Sequence, residues 1–331
     1  MIRSPLSRRD VLFGAAGMGL TLATGAHAAT DGFLTAADVH VNGYPTVEAV
    51  RWIGKQLEER TGGRLRIRVY FAGQLGREGD TVDLTRFGAL DITRVNFAAL
   101  NNPFPLTQLF ALPYVFDSVD HMRRVVDGEG GRLVLEGFEQ RNLIGLAIYD
   151  AGSRSFYNVR RAIHEPQDLQ GLKFRVPPSD IFLEMAAALG AEPTPLPFGE
   201  VYSALQTHLI DGAENNWRSF QSSRHFEVAR YLSRTEHSYS PEALLMSRRT
   251  FDALSSDDRE LVAATARESV PYMRSLWDRM EEEARQIVLA SGVHFNEVDR
   301  DAFHKAAAPV LEQYVARTDL RQIYELVRAA A

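Results

Sequence analysis

Residues 171–180 read GLKFRVPPSD. A short β-type run, Lys173 to Val176, carries the charged Arg175 at its end. Pro177 and Pro178 then remove the backbone donors a sheet ladder requires, so the strand stops here. Ser179 or Asp180 is placed to cap the helical pattern SDIFLEMAAALG that follows. An arginine at such a break has two readings. It is a surface residue with its head in water, or a charge held out from a strand end for a ligand.

The same alternation extends on both sides. Upstream, FLTAADVH (33–40) reads as a strand and YPTVEAVRWIGKQLEERTGG as an amphipathic helix ending at Gly62-Gly63. RLRIRVYF alternates strictly as a second strand, QLGREGDTVDLTRFGA reads as a loop feeding a helix with Gly88 near its C-cap, and LDITRVN is a third strand. A short helix around His121–Asp127, another helix, and the apolar strand LIGLAIYD close this half. Downstream, strand SRSFYNV precedes GLKFRV. A short strand near EPTPL leads to the helix FGEVYSALQTHL and the turn IDGAENNW. Strands alternating with helices imply an α/β protein with a mostly parallel sheet. From Ser256 to about Ala290 runs one long helical pattern, with Pro271 inside it predicting a kink or a break.

A chain of 331 residues is too long for one compact core and predicts two domains. No internal repeat of solenoid or propeller period is present. The absence of cysteine excludes disulfides, thiolate nucleophiles and cysteine-based metal sites, and the nine histidines are scattered without metal-ligand spacing. No metal and no cofactor is expected.

The N-terminus reads as an address. Arg8-Arg9, an apolar Gly/Ala/Leu-rich run and Ala26-His27-Ala28 have the order of an export signal with a small-x-small cleavage site. The run is shorter than the roughly 20 residues of a spanning helix. Ser7-Arg8-Arg9-x-x-Leu12 resembles the twin-arginine consensus, so a periplasmic protein starting near Ala29 is expected. The whole chain has net charge −6; a leader of net +2 leaves −8 on the remainder. An acidic surface without a Lys/Arg cluster argues against nucleic acid or anionic membrane as a partner.

Catalytic motifs are missing: no G-x-x-x-x-G-K-[ST], G-x-S-x-G or H-E-x-x-H occurs. Polar groups at strand ends stand out instead, where ligands of open α/β sheets sit. Arg175 ends its strand, and Arg154 follows YDAG. Asn96 ends LDITRVN, Asp38 and His40 end the first strand, Asn215 and Asn216 follow IDGAE, and Glu78 lies after the second strand. A guanidinium fork matches a carboxylate in two parallel hydrogen bonds, while amides and a carboxylate suit hydroxyls. Each also has an ordinary reading: Arg154 paired with Asp150, Asn215 and Asn216 capping a turn, Glu78 capping its helix.

The segments GQLGREGD, GALDITRVN, FALPYVF, GSRSFYNVRRAI, DLQGLKFRVP, PLPFGEVYSALQTHLIDGAENN and ALLMSRRTFDALSSDDR together resemble the substrate-binding proteins of TRAP transporters, the tripartite ATP-independent periplasmic family. The resemblance covers essentially the whole chain after the leader. It implies a two-domain periplasmic binding protein fold with a hinged cleft and a long helix spanning both domains. The expected parts are 1–28 as leader, 29–151 with 241–280 as one lobe, and 152–240 with 281–331 as the other. It implies that Arg175 grips a ligand carboxylate, that Arg154 and Asn215 support the ligand, and that Asn96 and Glu78 line the cleft.

Many relatives carry proline after GAEN, where this chain has Asn216 and Trp217. GAENNW with TRVNFAALNN resembles the subgroup taking sugar acids such as glucuronate or galacturonate, and Asn216, His40 and Arg94 add polar groups suited to a polyhydroxylated acid. Trp217 either stacks on a sugar face or packs in the hinge. The expected protein is a monomeric receptor, not an enzyme, delivering a sugar acid to integral membrane subunits. Its rivals are a receptor for C4-dicarboxylates or 2-oxo acids, favoured if Arg94 is a second cation aimed into the cleft, a receptor serving a sensor kinase, and a periplasmic cofactor-dependent enzyme.

Overall fold

The computed structural model describes residues 33–331; the expected leader lies outside the described residues. The opening β-α-β-α-β alternation is present as β1 (Phe33–Ala37), α1 (Pro45–Arg60), β2 (Arg66–Tyr70), α2 (Glu78–Arg86) and β3 (Ile92–Asn96). Pro45 sits at the first turn of α1, where its missing N–H costs nothing, and the helix buries Val47, Val50, Ile53 and Leu57 on one face. The strands that follow are β4 (Leu143–Tyr149), β5 (Arg154–Asn158), β6 (Lys173–Val176), β7 (Glu192–Pro195), β8 (Gly212–Asn215), β9 (Tyr231–Ser238), β10 (Glu242–Ser247) and β11 (His294–Glu297).

These strands form two sheets. The first has the order β2-β1-β3-β10-β4 and the second β11-β9-β5-β8-β6-β7. In the first, β1 runs parallel to β2 and β3, while β10 is inserted antiparallel between β3 and β4. In the second, β6 runs parallel to β7 and β8, and β5 lies antiparallel between β8 and β9.

The chain leaves the first sheet between β4 and β5 and returns between β9 and β10. Tyr149 pairs with Glu242 at one end of this double crossing, and Arg154 with Ser238 at the other, so the two passages run side by side. Asp150, in the outgoing passage, is buried and pinned by Arg123 at 2.5 Å and Arg274 at 3.1 Å. The apolar core is shared as well: Phe97 and Phe110 near the first sheet, and Phe156 and Phe174 in the second, belong to one buried cluster.

Two expectations are corrected. The segment read as the turn IDGAENNW contains β8, whose four residues are buried between β5 and β6. Asp211-Gly212 carries turn chemistry, but the glycine is there for closeness. A Cβ at Gly212 would lie 2.4 Å from Phe174 and 2.7 Å from the Tyr157 carbonyl. The second concerns Pro271, where of the two expected outcomes the break does not occur: Ser256–Ala290 is one unbroken run of 35 residues. The lost hydrogen bond is offset by packing, since Val262, Ala266, Met273 and Trp277 are buried along it. This helix lies on α1 and β4 and also on the helix Trp217–Ser222 after β8, so it braces both sheets. Its Trp277 indole packs edge-on to Tyr44. At the far end of the chain, the helix Thr318–Ala329 packs against Glu129–Gly137 beside the first sheet.

Candidate functional site: a cleft with one unpaired guanidinium

A cavity of about 810 Å³ opens between the two sheets, within the range of small-molecule sites. The first sheet contributes His40 after β1, Glu78 at the start of α2, Asn96 at the end of β3 and Glu242 at the start of β10. The second contributes Arg154 of β5, Arg175 of β6, Asn215 of β8, and Phe198 to Glu200 after β7.

Arg175 is where GLKFRVPP places it, the third of the four residues of a strand that Pro177 and Pro178 end. It is 3 % exposed. Its Nε donates to the Leu196 carbonyl at 2.8 Å, and among the described residues it meets no carboxylate in an ion pair, so its terminal nitrogens are left to the cavity. Burial lowers its pKa to about 10, with the nearby charge of Glu214 opposing, and it stays cationic at neutral pH.

Arg154 lines the same cavity but is already neutralised. It neither reaches Asp150 nor lies on the surface; it makes a bidentate pair with the buried Glu214, Nε–Oε2 2.6 Å and Nη2–Oε1 2.7 Å. Burial alone would raise the Glu214 pKa. Arg154, with a hydrogen bond from His237, instead holds it down to about 2. Asn215 spends its Oδ1 on the N–H of Asn216 at 2.9 Å, and its amide nitrogen is unspent. Glu78 accepts at Oε1 from Arg94 at 3.0 Å and from the N–H of Asn96 at 2.9 Å. It does not cap its helix; Arg77 holds the cap position. His40 stacks on Tyr44 with ring centres 3.7 Å apart and meets Phe198, from the second sheet, edge-on at 5.2 Å. Burial and the charge of Arg94 keep its imidazole neutral.

Three expected contacts take other roles. Arg94 is not a cation aimed into the cleft: its side chain is wholly buried, paired with Asp38, with Glu78 at 3.0 Å and with Glu242 at 3.2 Å. Asn216 also lies outside the cavity lining. Its Nδ2 donates to the Ala151 carbonyl at 2.6 Å, and its Oδ1 caps Trp217–Ser222 by accepting from Ser219 N at 2.7 Å. Asn96 borders the cavity, yet its amide is committed to Ala98 N and to Ser240. Trp217 packs on Phe295 and lies outside the lining. No three acidic or histidine side chains converge to hold a metal ion among the described residues.

Glu242 and Glu214 escaped the sequence reading. Each is a lone acid inside an otherwise uncharged strand, in EALLMS and GAEN, and that is the signal that would have found them. A salt bridge, Arg77 Nη2–Glu200 Oε1 at 2.6 Å, joins the loop before α2 to the segment after β7, and both residues line the cavity.

Comparison with known proteins agrees with this architecture. Residues 36–318 match the model of "Bacterial extracellular solute-binding protein, family 7". A TRAP periplasmic solute-binding protein from Bradyrhizobium sp. BTAi1, solved with α/β-D-galacturonate, superposes with a TM-score of 0.88 at 45 % identity over 89 % of this chain and 99 % of that one. One from Roseobacter denitrificans, solved with β-D-glucuronate, gives 0.87 at 40 % identity over 90 % and 99 %. A solute-binding protein of Chromohalobacter salexigens is 37 % identical over 84 % of this chain and 83 % of its own. No helix among the described residues is long and apolar enough to cross a membrane. The chain belongs to family 7 of the bacterial extracellular solute-binding proteins, the non-enzymatic periplasmic receptors that serve TRAP transporters.

Proposed function

We propose that this receptor binds a hexuronate, D-galacturonate or D-glucuronate, with Arg175 forming a bidentate salt bridge to the ligand carboxylate. The observation that carries this reading is the buried guanidinium of Arg175, unpaired in a cleft whose other buried arginines already hold carboxylates. A buried charge without a counter-ion is costly, and an incoming carboxylate supplies the partner. Asn215, Glu78, His40 and Glu242 face the hydroxyls, and Arg154 adds hydrogen-bond donors rather than net charge.

The same accounting disfavours a C4-dicarboxylate or 2-oxo diacid. A second ligand carboxylate requires a second unpaired cation, yet Arg94 and Arg154 are neutralised, Arg77 is paired with Glu200, and Arg86 with Asp83. Relatives solved with galacturonate and glucuronate support the uronate choice. Export by the twin-arginine route, action as a monomer, and hinge passages near residues 151 and 240 complete the proposal.

A thermal-shift and calorimetric screen of uronates, aldonates and C4-dicarboxylates tests it, since a ligand that binds only the folded state raises Tm. A shift with hexuronates and none with dicarboxylates is expected; the reverse order refutes the assignment.

A further inference from the structure

Three carboxylates of the first-sheet wall, Asp38, Glu78 and Glu242, converge on the single guanidinium of Arg94. One positive charge against three negative ones leaves an excess inside a buried shell, where like charges cannot all ionise cheaply. Neighbouring elements offset it only in part: the unpaired Arg175 on β6 acts on Glu78 across the cavity and Arg218 stands over the Tyr44 ring, but neither pairs with Glu242. His40 is held neutral by burial and Arg94. The hydroxyl of Tyr44, ahead of α1, is bonded to Ser219, and that of Tyr149, across from Glu242 on β4, to Ser269. The charge of Arg154 on β5 is taken up by Glu214.

The three acids are unequally served. Asp38 accepts from Thr46 Oγ1 at 2.7 Å, from the N–H of His40 at 2.8 Å, and from Arg94. Glu78 accepts two well-formed bonds at one oxygen. Glu242 has the deficit. Its Oε2 is buried and makes no hydrogen bond, although Arg94 Nη1 is 3.2 Å away, and its Oε1 has only Asn96 Nδ2 at 3.5 Å and His40 Nε2 at 3.6 Å. Of three anions competing for one cation, the one poorest in donors is the one a proton stabilises most. Burial pushes the Glu242 carboxyl upward in the same sense, more than Arg94 pulls it down.

We propose that Glu242 is a carboxylic acid, not a carboxylate, at neutral pH, and that its O–H is the donor this wall offers to an oxygen of the bound sugar acid. The proton comes from solvent and remains on the side chain. The ligand half of this assignment rests on the uronate reading; the protonation half does not. The consequence is a site that meets its ligand with one unpaired cation and one neutral acid donor, beside the donors of Arg154 and the Asn215 amide.

Two measurements test it. Carboxyl-carbon NMR on the glutamate-labelled full chain should show two Glu resonances titrating well above the ordinary carboxylate range. One belongs to Glu281, which burial raises to about 7, and is lost in Glu281→Gln; the other is lost in Glu242→Gln but retained in Glu78→Gln. An ordinary titration for Glu242, or loss of that other resonance in Glu78→Gln instead, overturns the protonation. Calorimetry with D-galacturonate and D-glucuronate between pH 6 and 9 should show wild-type Kd weakening by at most about tenfold per pH unit above that titration. The slope should vanish in Glu242→Gln, and Glu242→Leu, which has no donor, should bind at least tenfold more weakly than Glu242→Gln. A slope that survives in Glu242→Gln, or equal binding by the two variants, overturns the donor role. If neither uronate binds the wild type, the uronate reading falls, and the NMR titration still decides whether Glu242 holds the proton.

Discussion

Arg154 and Glu214 are joined by two parallel hydrogen bonds, 2.6 and 2.7 Å, while Arg175, two strands from Arg154 in the same sheet, has none to any carboxylate among the described residues. The sheet thus carries two arginines into one cleft and supplies a counter-ion for only one of them. On the proposed reading, that asymmetry limits the site to one ligand carboxylate.

The first prediction concerns the unpaired member. Arg175→Ala should weaken hexuronate binding by about 2–5 kcal/mol, the cost of truncating one partner of a buried charge pair. Arg175→Lys should recover only part, because an ammonium cannot form the planar fork. Removing an uncompensated buried charge should leave the ligand-free protein as stable as wild type or more so, so Arg175→Met should raise the apo Tm while losing the ligand-induced shift. Calorimetry and thermal scans with and without D-galacturonate check both halves.

Glu214 predicts an acid limit. Its pKa is depressed from 4.5 to about 2, so its contribution is present above pH 4.5 and is lost as pH falls toward 2, about 3 kcal/mol in all. Glu214→Gln should cost about 3–5 kcal/mol at neutral pH by stranding Arg154 beside Arg175, and should flatten that acid arm. Denaturant unfolding at pH 3, 5 and 7 measures it.

Glu281 predicts the opposite slope. It lies on the long brace helix, with Oε2 accepting from Trp277 Nε1 at 3.0 Å and Oε1 buried without a partner against Gly152 in the outgoing passage. Burial raises its pKa from 4.5 to about 7, and the Trp277 hydrogen bond only partly opposes this. Its neutral form favours the fold below pH 4.5, and that advantage is lost as pH rises through 7, about 3 kcal/mol at most. Glu281→Gln should remove this dependence and stabilise the protein at pH 8. Gly152 sits at φ +64°, and a Cβ there would come 2.3 Å from the same oxygen, so a side chain at 152 would strain the backbone and push the Glu281 carboxyl aside.

The bridge from Arg77 to Glu200 predicts a kinetic effect. Both side chains are well exposed, so the pair is worth about 1 kcal/mol or less. Arg77→Ala should speed ligand release by about fivefold at most, and added salt should erode the difference between variant and wild type. Stopped-flow displacement at two ionic strengths reads this out.

Much of this molecule was legible along the chain because the relevant signals are local. Period-two and period-3.6 patterning marks β1 to β7 and their helices, and the two prolines after Val176 locate Arg175 at a strand end. The glycine-aspartate chemistry that read as a turn at 211–212 was overruled by packing that no local pattern carries, the closeness of Phe174 and Tyr157 to Gly212. Arg94 and Arg154 look no different from Arg175 in the sequence. Only the sheet registers, with Glu242 opposite Asn96 and Glu214 opposite Phe156, bring counter-charges to two of the three. Composition and periodicity determined an α/β chain with polar groups at its strand ends. Which of those groups is spent on the protein and which is left for a ligand was decided by tertiary pairing, because an ion pair depends on distance in space and is blind to distance along the chain.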